Sequence, residues 1–542
     1  MAVCPRQLAY RPLRVPREDG TALIEPPFDE IASLVEENVR LRGTYAYDVQ
    51  GRSLAELAGQ ARRELLDEAR QWTTAYRDVE AADATGLIFL AGHQPQLFHP
   101  GVWLKNFALG ALARRHGAVA VNLLIDSDTI KETSLSVPSG SVAQPHVEAV
   151  AFDRSMPKVP YEQRKVVDRE LFAEFGRRVA ERLSTLVPDP MIDVYWPLAR
   201  EQMRQTAKLG ACLAQSRHRL EGQWGLQTLE IPQSRVCDGE PFGWFAAHLL
   251  ARLPEVRETY NQTVREYRQV HRIRSAAHPV PDLSADGEWL ESPLWVFSAE
   301  DPRRRPLFAR RRNDGLLLSN GHGWKSELAL SGSRDAAAAV EQLAGLRRRG
   351  VKIRSRALIT TLWARLVLGD LFVHGIGGAK YDHVTDALIE RLFGLKPPGF
   401  MILSGTLHLP IERPRATAEH AQVIRQQLRQ LVYHPERYVD LSSACYERVT
   451  DDPNALVAAK LRWTQTGQTP QNARARCRAI RQINRALQPW VAQRREQLLR
   501  RQAQMARALQ AENVLGRRDY GFCLYPERTF REFLRRLLPN SR

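Results

Sequence analysis

A chain of 542 residues, 44% hydrophobic and 26% charged, has enough apolar material for a large core and a further folding unit, which excludes general disorder. Its formal charge of +17 points to an anionic ligand or partner, but about three quarters of that charge falls after residue 410 and the presumed core is closer to neutral. No apolar run approaches the roughly 20 residues of a membrane helix, and the N-terminus lacks the apolar stretch of a signal peptide. A cytoplasmic location without a membrane partner is therefore expected. The six cysteines show no CxxC pair and no Cys/His spacing, so they read as reduced thiols and not as zinc ligands.

In chain order, Ser53 and Glu56 form a capping box, and Leu54, Leu57, Ala58, Ala61, Leu65, Ala69 and Trp72 follow at helical spacing. This predicts an amphipathic helix to about Tyr76 in an N-terminal helical segment, 1–85. The run LIFLA, the loop AGHQPQLFHPG, the helical pattern VWLKNFALGALARRHG and the run AVAVNLLI then form a strand-loop-helix-strand unit in 86–159. Strands apolar throughout and alternating with helices argue for a parallel sheet covered on both faces. Residues 160–280 read as a helical insertion, and 281–345 as antiparallel strands, with Asn313-Asp314-Gly315 as a hairpin turn. From 346 to 410 the α/β pattern resumes in RALIT, TLWARLVLG, DLFVHG, a glycine-rich turn and the helix HVTDALIERLFG.

Beyond that, 411–542 is basic and helical. Ile480, Ile483, Leu487 and Trp490 suggest a coiled-coil seam, but Pro489 should break the helix and Arg494 falls on a core position, so a short antiparallel helical pair is favoured over a long zipper. The fold class is thus α/β: a Rossmann-like parallel-sheet core with helical and antiparallel β insertions and a C-terminal coiled-coil-like region.

In such a sheet ligands bind where strands end and helices begin. Three loops should meet there. Gly92, His93, Gln94 and His99 lie in the first, with Lys105 and Asn106 at the start of the following helix, a dense polar set that a plain Gly/Pro turn with hydrogen-bonded histidines would also contain. Asp126 and Asp128 end the second strand, where they could bind an amine or a divalent cation or act as a base, and Asp128 could equally cap the next turn. No third metal ligand is identifiable, so no metal site is assigned. Gly377, Gly378 and Lys380 follow the strand DLFVHG, where glycines permit close approach to an anion, although their spacing fits neither a P-loop nor a dinucleotide fingerprint. The substrate-binding candidates are Gly92, Gln94, His99, Lys105, Asn106, Asp126, Gly377, Gly378 and Lys380, with His93 and Asp128 as candidate catalytic bases.

AGHQPQLFHPGVWLKN, LIDSDT, FVHGIGGAKY and LYPERTFREFLRRLL, in that order, resemble segments of the cysteine-adding enzymes of bacillithiol biosynthesis, over about 100 residues in pieces. The resemblance matches Gly92, Gln94, Leu97 and Phe98 to that family's first motif, Asp126 and Asp128 to its acidic loop, and Gly377 and Gly378 to its glycine turn. It implies a homodimer, a coiled-coil region able to hold a nucleotide, and a ligase that joins cysteine to the amine of a glucosaminyl malate; an adenine nucleotide is the candidate cofactor. His93 stands where the family has glutamine, and Lys380 and Tyr381 stand where it has an acid, which implies a changed substrate.

The expected function is a ligase or nucleotidyl-transfer-like enzyme joining an amino acid such as cysteine to a small amine-bearing metabolite. The alternative is a nucleic-acid-binding or scaffold protein using its Arg-rich C-terminal helices. Scattered arginines would make those helices solvated faces, whereas a continuous stripe would favour nucleic acid.

Overall fold

The computed structural model describes residues 8–79, 86–330, 335–413, 416–439 and 452–538. Cys4 and Cys445 lie outside them. The chain divides into two compact units, the first made of Met1–Val137, Ala149–Leu409 and Arg518–Arg542, the second of Pro138–Glu148 and Pro410–Arg517.

The first unit opens with β1 (Thr21–Glu25), α1 (Ile31–Gly43), the short pair β2 (Asp48–Val49) and β3 (Arg52–Ser53), and α2 (Leu54–Thr74). The Ser53 hydroxyl accepts from the Glu56 amide and the Glu56 carboxylate returns to Ser53, completing the capping box. Then come β4 (Ile88–His93), α3 (Pro100–His116) and β5 (Val119–Leu124), as the apolar runs predict. Next are the paired strands β6 (Ser134–Ser141) and β7 (Gln144–Ala151), then α4 (Arg169–Leu183), α5 (Ile192–Gln205) and α6 (Leu209–Gln223). They are followed by β8 (Leu229–Pro232), α7 (Gln233–Asp238), α8 (Glu240–Ala251) and α9 (Leu253–Val270).

A second sheet combines β9 (Ala285–Asp286), β10 (Trp289–Phe297), β11 (Arg305–Arg312), β12 (Gly315–Ser319), β13 (Lys325–Leu328) and, after α10 (Ala337–Arg348), β14 (Lys352–Ser355). It is antiparallel, and Arg312 pairs Gly315 across a turn in which Asn313 takes φ +51°. The chain then forms α11 (Ala357–Trp363), β15 (Leu371–His374), α12 (Ile376–Phe393) and β16 (Met401–Thr406). RALIT is therefore the start of a helix, and the strand before it belongs to the second sheet.

The main sheet runs β1-β16-β15-β4-β5-β8 and is parallel except for β1 against β16. Two of its strands escaped the sequence pattern: β1 lies in the segment read as helical, and β8 lies inside the stretch read as a helical insertion. Four residues, LEIP, are too few to show periodicity between two helices. One continuous apolar core joins both sheets, running from Leu57 and Leu65 through Leu90 and Val121 to Phe245, Val296 and Leu318.

The second unit holds α13 (Ala418–Tyr433), α14 (Pro453–Gln465), α15 (Ala473–Ala486) and α16 (Ala492–Leu515). Between α15 and α16, Pro489–Val491 forms a single 3-10 turn, so the proline interrupts the helix as expected. Ile424, Leu431, Val491 and Leu498 form its small core, packing α13 against α16. The chain then returns to the first unit with α17 (Glu527–Leu537), where Phe530 stacks on Trp103 of α3 at a centroid distance of 4.4 Å. No helix among the described residues is long and apolar enough to cross a membrane.

Candidate functional site

From β4 the chain crosses through α3 to β5, and from neighbouring β15 it crosses through α12 to β16, in opposite directions along the sheet. Adjacent parallel strands whose connections diverge leave a crevice beyond their C-terminal ends. Lys105 occupies it. Its side chain is 3% exposed, its Nζ donates to the Gly92 carbonyl oxygen at 3.1 Å, and Nζ stands 4.0 Å from where a Cβ on Gly375 would lie. The first and third loops are thereby brought together. No acid pairs with Lys105 among the described residues, and burial pushes its amine down to about 8.

Gly375 precedes α12 without a side-chain cap, so Gly377 and Gly378 occupy the first helical turn and not a separate loop. The amides of such a turn have no partner within the helix and favour an anion. Space above Gly377 is open for 4 Å, whereas a Cβ on Gly378 would meet His374 Nδ1 at 2.7 Å, so Gly378 is small in order to pack on that ring. Beneath it, His374 Nε2 lies 2.6 Å from Asp382 Oδ2, and Arg365 Nη1 reaches the same oxygen at 2.7 Å. Burial would raise the Asp382 pKa, but His374 and Arg365 outweigh it and hold the carboxyl well below the usual range.

The first and second loops also touch. Gln94 Nε2 donates to Asp128 Oδ2 at 2.9 Å, and the Ile125 amide donates to the His93 carbonyl oxygen at 3.0 Å. Asp128, a candidate base from sequence, is committed to Arg304 at 2.9 Å and to the Thr129 amide at 2.8 Å. His93 is pushed down to about 3, first by burial and then by Lys105. Its Nδ1 faces the Gln94 carbonyl oxygen at 3.1 Å, which requires Nδ1 to donate and leaves Nε2 as an acceptor. Such an imidazole is a hydrogen-bond partner at neutral pH and a poor general base.

Asp126 behaves differently. Ser234, the second residue of α7 after β8, donates to it through the backbone amide at 2.9 Å and the hydroxyl at 2.6 Å. Burial first and Glu162 second push its carboxyl up, to about 7. Glu162 is gripped by Arg354 through Nε at 2.8 Å and Nη2 at 3.0 Å, and by Lys352 Nζ at 3.0 Å. A cavity of about 240 Å³ opens beside this group, lined by Trp72, Pro95, Asp126, Tyr161, Lys208 and Arg354. Two larger cavities, of about 430 and 550 Å³, lie along α8 and α7, and Asp238 borders all three. Ser234, Glu162, Lys352 and Arg354 gave no local signal in the sequence, since their grouping depends on β8 and β14.

Two other candidates have structural partners and a third faces solvent. His99 caps α3, accepting from the Gly101 amide at 3.1 Å. Asn106 donates at 2.8 Å to buried Glu221. Lys380 is exposed on α12. Glu221, Glu230 and His218 place possible metal-ligand atoms within 4.8 Å of one another, but Arg217 bonds both carboxylates and supplies the positive charge there.

At the strand C-terminal edge, then, an unpaired buried ammonium with open helix amides stands at one end and a carboxyl titrating near neutrality at the other. They are separated by about two strand spacings, roughly 10 Å along the sheet. Compared with known proteins, the chain matches no family model and no curated protein.

Proposed function

We propose that the chain is a Rossmann-like ligase or nucleotidyl-transfer-like enzyme that joins an amino acid, such as cysteine, to a small amine-bearing metabolite. The observation that carries this reading is Lys105, a buried cation with no carboxylate partner among the described residues, at the divergence of β4 and β15. Maintaining an unpaired buried charge is costly, and an anionic substrate group offsets that cost. Lys105 and the Gly377 and Gly378 amides hold the phosphate or carboxylate of an activated acyl group, while Asp126 receives the amine. When the amine nitrogen attacks the acyl carbon, the C–N bond forms, the acyl–oxygen bond breaks, Asp126 takes the amine proton, and the departing oxygen keeps its charge facing Lys105. The activating group in this proposal is an adenine nucleotide; the resemblance itself implies only that the coiled-coil region holds a nucleotide.

A thermal-shift screen of adenine nucleotides, amino acids including cysteine, and amino sugars tests the reading. Saturation to a hundredfold over Kd adds about 2.7 kcal/mol of stability. The expected result is stabilisation by an anionic ligand that Lys105→Met removes. A ligand that stabilises wild type, Lys105→Met and Asp126→Asn equally binds elsewhere, and the site assignment then fails.

A further inference from the structure

We propose that the exposed arginine row of α15, Arg474, Arg478, Arg481 and Arg485, docks the phosphate backbone of double-stranded nucleic acid. Their spacing of four, three and four residues puts them on one helix face, over about 16 Å at 1.5 Å per residue. All four are exposed, and none has an ion-pair partner among the described residues. The sequence between Pro453 and Arg495 contains no Asp or Glu at all.

Elsewhere in this unit some cations do have acid partners: Arg413 pairs with Glu512, Lys460 with Glu436 and Arg500 with Glu496. Within α15 itself, Arg476 turns back to the Trp463 carbonyl oxygen at 2.9 Å. The other four therefore form a continuous stripe, whose self-repulsion a row of phosphates relieves.

The identity of the polyanion follows from what lies between the arginines. Ala475, Cys477 and Gln482 are the other exposed residues of the helix from Arg474 to Arg485, so no aromatic ring is presented for stacking unpaired bases. Nor does this face offer the large apolar side chains that insert into a lipid surface, because Ile480, Ile483 and Leu487 are partly or fully buried. A regular, sequence-independent backbone of a duplex fits both facts.

The test is fluorescence anisotropy of the full chain with a labelled duplex DNA of arbitrary sequence, titrated at rising salt. Four phosphate contacts predict a log–log salt slope of about −3.6 and a loss of roughly a hundredfold in affinity from 50 to 200 mM salt. The variant R474Q/R478Q/R481Q/R485Q should lose most of the affinity and the slope, and R478Q and R481Q singly should each remove about one unit of slope. A control with equal charge loss on exposed arginines of the first unit, R169Q/R265Q/R311Q/R349Q, should bind as wild type. The proposal is overturned by no duplex binding at about 50 mM salt, by equal losses in the row and control variants, or by a single strand or anionic phosphatidylserine vesicles outcompeting duplex.

Discussion

Lys105 Nζ donates to the carbonyl oxygen of Gly92 at 3.1 Å, so among the described residues the charge of a buried lysine is held at the end of a parallel strand by a neutral group alone. Its amine sits at about 8, below the unfolded value of about 10.4. Between those values the unfolded chain binds the extra proton, and wild-type stability rises with pH through that window. Lys105→Met should abolish the rise and be more stable than wild type at pH 7, by roughly 2 to 3 kcal/mol. Urea unfolding at several pH values measures it. A destabilised Lys105→Met would mean that the ammonium is satisfied in the free protein.

Asp126 gives the opposite slope. Its folded pKa of about 7 lies above the unfolded value of about 3.9, so the contribution is fully present below pH 4 and is lost as pH rises through 7. Asp126→Asn should flatten that decline, and its advantage over wild type should grow from pH 4 to pH 7. Paired denaturation series would show parallel curves if Asp126 were an ordinary ionised carboxylate.

His93 should remain neutral across the physiological range, because its pKa of about 3 leaves no titration between pH 5 and 8. The NMR chemical shifts of its ring should be flat there and move only in acid, where protonation costs folded-state stability. His93→Gln, which keeps an acceptor, should retain ligand binding better than His93→Ala. A midpoint near 6.5 for this ring would restore it as a candidate base.

Asp382 anchors the start of α12 through Arg365 and His374, all three at most 4% exposed. Among the described residues Asp382→Asn leaves Arg365 with Asp386 as its one acid partner, and it should cost about 3 to 5 kcal/mol. The urea midpoint reads this directly. The same variant should weaken any ligand response that depends on the amides of Gly377 and Gly378, since their position rests on this network.

Local signals served well where the determinants were local. The capping box at Ser53, the unit from Ile88 to Leu124, the hairpin at Asn313 and the break at Pro489 each depend on neighbours within a turn or two. Lys105 was legible as part of a polar loop, but its burial without an acid was not, because that depends on Gly375, far along the chain. Asp128 drew attention as strongly as Asp126, yet Arg304 from before the second sheet's β11 neutralises the one, and Ser234, Glu162 and the fold around β8 shape the other. A four-residue strand hidden between helices thus decided which carboxylate keeps an unusual proton affinity.

After β16 the chain leaves the first unit at Leu409 and re-enters it at Arg518, whose Nη1 donates to Thr406 Oγ1 at 3.0 Å. At the far end, Arg536 Nη2 reaches the Gly20 carbonyl oxygen at 2.6 Å, so the last helix fastens the segment that leads into the edge strand β1. Exit and re-entry points this close make the helical stretch a detour that a short flexible tether can replace. During synthesis the order is strict: every residue of the detour leaves the ribosome before α17 does, so the sheet waits for the final segment to secure its first strand.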